Sequence, residues 1–155
     1  MLFFPLKTQI KKEGQFHSMQ LLTKTFTTPM EKIKIQKNVL DEDLEECSNN
    51  PLTGWFRDGC CNTDENDHGV HTVCAKVTTE FLEWLKDAGN DLITPHPEFG
   101  FPGLKDGDGW CVCASWYARA VEAGKGCPIY IKRTHEKTLK FVSMDDLKKN
   151  AIDLS

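Results

Sequence analysis

Along residues 70–77, "VHTVCAKV", the apolar residues Val73, Ala75 and Val77 alternate with Cys74 and Lys76. A period of two sends one set of side chains to one face, so the stretch predicts a strand. The period then lengthens. Phe81, Leu82, Trp84, Leu85 and Ala88 recur at helical spacing. Thr78 or Thr79 is placed to cap this helix, Glu80 suits its first turn, and Gly89 suits its end. Residues 90–109 hold three prolines and four glycines, which exclude a helix or a central strand. Phe99 and Phe101 make that segment an ordered loop rather than a slack linker.

A second strand-to-helix passage follows in "WCVCASWYARAVEAG" (110–124), with Tyr117, Ala120 and Val121 on one face and Gly124 as the stop. "PIYIK" (128–132) alternates as a further strand. In 134–143, Thr134 is placed to cap a short helix running into a strand at Phe141 and Val142. Ser143 and Asp146 have capping-box spacing for a last helix, with Leu147 and Ala151 inward. The order predicts an α+β fold. It is a single compact domain over 37–155, with a small mixed sheet, about three helices and one long ordered loop. Residues 1–36 are rich in Lys and Thr without a sustained period. They are expected to be a flexible or leader-like tail, although the absence of Arg is unusual for a mitochondrial presequence.

Charge narrows the partners. Residues 1–37 carry seven Lys against two acids, and the remainder carries twelve Lys and Arg against twenty-one acids, for a net charge of −4. An acidic body argues against a nucleic-acid surface, which needs a basic footprint. No apolar run approaches the roughly 20 residues of a membrane-spanning helix. Seven cysteines are an odd number, and no persuasive secretion signal precedes them. These features predict a reducing, cytoplasmic setting in which most thiols are free.

The stretches "NPLTGWFRDGCCNT", "GVHTVCAKVTTEFLEWLKDAGNDLITPHPEFGFPGLKDGDGWCVCASWYARAVEAG" and "THEKTLKFVSMDDLK" together resemble the family known as domain of unknown function 2237. The resemblance covers about residues 38–152. It implies a small, mostly bacterial, single-domain protein, and it carries over no mechanism, substrate or cofactor. The basic start lies outside the family pattern, and Gly109 stands where Arg is common.

Candidate chemistry centres on Arg57, Asp58, Cys60, Cys61, His71, Trp110, Cys113 and His135. Cys113 falls at a helix start, where partial positive charge favours a thiolate. Arg57 beside Cys60 and Cys61 has the same effect if the loop folds that way. His71 or His135 is available as a base for a Cys–His pair. Asp58-Gly59 reads first as a turn, with Arg57 as its carboxylate partner or an anion clamp. Cys74 and Cys111 read as small core residues, and a vicinal Cys60–Cys61 disulfide as a minor alternative.

"DENDHG" (64–69) mimics the start of a calcium loop but has Ala75 where a bidentate Glu is needed, so it reads as a solvated acidic turn. His71-x-x-Cys74 and Cys111-x-Cys113 are poor zinc knuckles, and no metal or cofactor is expected. The first functional expectation is a small-molecule-binding module. Its site would lie between the 54–63 loop, the 94–110 loop and the Cys113 helix start. The alternatives are a thiol-dependent enzyme and a zinc-stabilised interaction module.

Overall fold

The computed structural model describes residues 34–154. The tail expected over 1–36 lies almost wholly outside the described residues. Strand β1 (His71–Lys76) pairs antiparallel with β2 (Gly109–Cys113). Between them run helix α1 (Thr79–Ala88) and the long loop. Helix α2 (Ala114–Glu122) leaves β2 directly, and α3 (Met144–Asn150) comes near the end.

The helix signals act as read. Thr78 caps α1, its side chain accepting from the Phe81 N–H at 3.1 Å, and Gly89 closes it at φ 108°. A positive φ costs an L-residue with a Cβ but costs glycine little. Ser143 caps α3 by accepting from the Asp146 N–H at 3.1 Å.

The fold is a single compact α+β domain, with one face of the ladder on the main core. Val73, Ala75, Trp110 and Val112 meet Phe81, Leu82 and Leu85 of α1 and Ala114, Tyr117 and Ala120 of α2. The alternate residues, Cys74 and Cys111, form a second cluster with Cys47 and Cys61.

Two expected strands do not form. Ile129 and Ile131 are fully buried, as the alternation in 128–132 requires. Yet Ile129 makes only isolated bridges, antiparallel to Ala75 and parallel to Ala151. The Ile131 and Lys132 N–H groups donate to the Asp153 carboxylate at 2.7 and 3.1 Å, and the chain tightens into a 3₁₀ turn over Ile131–Arg133. A carboxylate thus replaces a ladder partner. Phe141 and Val142 also lie outside any strand, because their N–H groups donate back to the Thr138 carbonyl. That local bonding ends a 3₁₀ segment over Glu136–Lys140, capped by His135 rather than Thr134.

The largest correction concerns the thiols. Cys47 is bonded to Cys74, and Cys61 to Cys111. Four of the seven cysteines are therefore paired, and Cys60, Cys113 and Cys127 are free. Cys74 and Cys111 are buried as expected, but as half-cystines. Cys61 is not available as a reactive thiol, and the vicinal Cys60–Cys61 bond is ruled out by its pairing with Cys111. No helix among the described residues is long and apolar enough to cross a membrane.

Candidate functional site

The turn before β1 decides the chemistry of the strand's first residue. Within "DENDHG", Glu65, Asn66 and His68 are exposed, but Asp67 is buried at 2% exposure. This corrects the reading of the whole turn as solvated. One Asp67 oxygen, Oδ1, lies 2.6 Å from His71 Nδ1. The other, Oδ2, accepts from the His71 backbone N–H and from the Thr63 hydroxyl, both at 2.9 Å. Burial pushes the carboxyl upward. The His71 ring, its charge and backbone N–H, and the Thr63 hydroxyl outweigh burial and hold it below the usual aspartate range. An ionised Asp67 makes Nδ1 the protonated nitrogen of a neutral His71, so the lone pair sits on Nε2.

Two backbone devices aim this histidine. Val70 takes φ 49°, an unfavourable value for a β-branched residue. Its carbonyl accepts from the N–H groups of Thr72 and Ala114, both at 2.9 Å, which pins it between β1 and the start of α2. The ladder register then shifts between His71 and Val73. Such a bulge re-aims side chains. Thr72 is anchored there through a 2.8 Å hydroxyl contact to Thr138 and a carbonyl that accepts from the His135 N–H.

His71 and Cys113 are partners across the ladder. Cys113 also takes the N-cap position of α2, and no side chain caps that helix. Its thiol donates to the Gly69 carbonyl at 2.6 Å and lies 3.3 Å from the Ser115 hydroxyl. The His71 ring rests on that same glycine. A Cβ at Gly69 would lie 2.5 Å from its Cε1 and 3.1 Å from its Nε2. Thiol and imidazole therefore flank one residue, and only glycine leaves room for the ring. Trp55 stacks on the outer face of His71, with centroids 5.9 Å apart and planes 9° apart.

The other candidates have structural partners. Asp58 accepts from the Cys60 N–H at 3.0 Å and from the Asn62 amide at 2.7 Å, as turn chemistry predicts. Arg57 donates to the Gly54 carbonyl at 2.5 Å and stacks 5.2 Å over Trp110, which meets Phe101 edge-on at 5.3 Å. Burial lowers the Arg57 guanidinium from its usual range. The Cys60 thiol is pushed up by burial and by Asp58 and Glu46, which disfavours a thiolate there. Cys127 is pushed up to about 12 by burial. His135 is buried, its Nδ1 accepts from the Lys137 N–H at 2.9 Å, and burial lowers its affinity for a proton.

Of the named candidates, the structure thus sets His71 and Cys113 opposite one another in the ladder, without a hydrogen bond between thiol and imidazole, and stacks Arg57 on Trp110. It adds Asp67, which sequence reasoning missed. The available signal was its spacing, four residues before His71 in "DHGVH".

No curated protein matches this chain. A family model described as "Uncharacterized protein conserved in bacteria (DUF2237)" matches residues 37–151. That span takes in Asp67, His71 and Cys113, and the chain belongs to this family.

Proposed function

We propose that the protein is a thiol-dependent enzyme of the acyl-transfer or hydrolysis class, with Cys113 as nucleophile, His71 as base and Asp67 as the group that orients His71. The observation that carries this is a half-buried His71 paired with a buried Asp67, set opposite a half-buried thiol at a helix N-terminus. Base and orienting acid are arranged as in convergent hydrolases, and the proposal requires the thiol to turn from the Gly69 carbonyl to the imidazole when substrate binds.

In the proposed cycle, His71 Nε2 takes the thiol proton and Cys113 Sγ bonds to a substrate carbonyl carbon. The carbonyl oxygen then carries the charge near the first turn of α2, where the N–H groups after Ala114 face that end, the Ala114 N–H itself being held by the Val70 carbonyl. Collapse breaks the bond to the leaving group, which receives the proton from His71. A water then attacks the thioester. His71 takes the water's proton and returns one to the departing sulfur, so the thiol is regenerated and an acid is released.

The expectation of a small-molecule site fits this reading. Trp55, stacked on His71, supplies an aromatic surface beside the imidazole, whereas Phe101 and Trp110 are packed into the main core on the other face of β2. The substrate is accordingly proposed to be a small ester, thioester or amide.

The test is competitive alkylation of the folded chain with iodoacetamide near neutral pH, read by peptide mass spectrometry. Cys113 is expected to label at least about a hundredfold faster than Cys60 and Cys127, at the lower end of the range assigned to a positioned base. Uniformly slow labelling of the three thiols overturns the proposal.

A further inference from the structure

The second core cluster has no role in that chemistry, yet it concentrates four sulfurs. Cys47, Cys61 and Cys74 place their Sγ atoms within 4.8 Å of one another, and all three are buried. Cys111 is joined to Cys61 and is 2% exposed. The four come from separate parts of the chain. Cys74 and Cys111 are opposite one another in the ladder. The Cys47 N–H donates to the Gly59 carbonyl at 2.7 Å, tying its loop to the one that bears Cys61.

We propose that these four cysteines, when reduced, form a closed site for one thiophilic divalent cation, zinc in the first instance. Tetrahedral zinc at about 2.3 Å from each sulfur needs sulfurs about 3.8 Å apart. The three clustered sulfurs lie within 4.8 Å of one another, and Cys111, bonded to Cys61 and opposite Cys74 in the ladder, is the fourth ligand, which must turn inward once the two S–S bonds are cleaved.

The surroundings suit a thiolate site. The backbone N–H groups of Cys74 and Cys111 are held by the hydroxyls of Thr134 and Thr53, at 3.2 and 2.9 Å, which fixes both ladder ligands. Tyr130 packs against the cluster, and Arg133 stacks 4.2 Å over Tyr130 while donating to the Cys47 carbonyl at 3.4 Å. That guanidinium, bonded to the backbone of one proposed ligand, would offset the excess negative charge that four thiolates and one dication leave.

The chemistry balances with a dithiol reductant. Each cystine takes two electrons and two protons, giving four thiols, and two dithiols become disulfides. Zinc then replaces four protons. Two equivalents of a small disulfide such as oxidised glutathione, each reduced to two thiols, restore both cystines and release the metal. The segment spanning Cys47 to Cys111 would thus be locked by cystines in an oxidising compartment and by zinc in the reducing one that the sequence suggested.

The test uses the full chain, reduced anaerobically with excess dithiol, given zinc chloride, desalted and measured by elemental analysis. A parallel sample takes cobalt, whose visible bands report tetrahedral thiolate ligation. The expected result is about one zinc per chain after reduction, none in the oxidised chain, and tetrathiolate cobalt bands. Cys113→Ser is expected to keep the metal and Cys74→Ser to lose it. Less than about half an equivalent on the reduced wild type, folded or unfolded, overturns the proposal. So does loss of the metal in Cys113→Ser, which would place it at the catalytic thiol instead. Because Cys113→Ser removes the proposed nucleophile and leaves the four sulfurs intact, the two proposals fail separately.

Discussion

At the scale of single residues, Asp67 is the group on which the site depends. Its three partners all donate to it, so replacing it with an amide reverses one of those bonds. Asp67→Asn presents an N–H to His71 or to the backbone, and favours the wrong imidazole tautomer. Alkylation of Cys113 is expected to slow by about a hundredfold in this variant, with little change in overall fold. An unchanged rate would remove Asp67 from the mechanism.

The same carboxyl sets a pH dependence of stability. Its folded value lies below the unfolded one, so its contribution is complete above the ordinary aspartate value of 3.8 and is lost as pH falls through the lower folded value. Acid titration of wild type and Asp67→Asn should diverge above that range and converge below it. Parallel curves throughout would contradict the buried pair. Gly69→Ala is a separate probe, because the added methyl meets the His71 ring. It should displace the ring and slow Cys113 alkylation by at least about tenfold.

At the scale of elements, the strand-to-helix passages were legible and the ladder partners were not. Alternation at 70–77 followed by helical spacing placed β1 and α1, and the same change of period placed Cys113 at the start of α2. Thr78→Ala should therefore cost about 1 kcal/mol in denaturant unfolding, because it strips the acceptor from the Phe81 N–H. No change would mean that the cap is dispensable.

Residues 128–132 looked like a strand because Ile129 and Ile131 are buried. A periodic pattern reports burial and says nothing of where backbone N–H groups go. Here the Asp153 carboxylate, more than twenty residues away in sequence, claims two of them. Asp67 escaped notice for a related reason. Its neighbours are polar and exposed, and burial of one acid inside such a turn depends on the bend at Val70 and on Thr63, which no local pattern records.

At the scale of the whole molecule, the two cystines tie the Cys47 loop and the Cys61 loop to opposite strands of one ladder. Their pairing could not be read from spacing, because it depends on which loops cross the outer face of the sheet. The odd number of cysteines pointed the other way, yet it is met by three thiols left free, one of them Cys113. The cystines close 27 and 50 residues of chain. Loop entropy assigns them about 3.5 and 4 kcal/mol. Reduction without metal should therefore lower the denaturant midpoint sharply, and zinc should restore a large part of it.

The central claim is that Cys113 acts as a nucleophile through His71. It is tested most directly by acylation with an activated ester such as p-nitrophenyl acetate, with the adduct located by mass spectrometry in the wild type and in His71→Ala. The predicted result is one acetyl group per chain on Cys113, formed with a stoichiometric burst of nitrophenolate and slowed about a hundredfold in His71→Ala. Acetylation scattered over lysines, or a Cys113 adduct that forms as fast without His71, would contradict it.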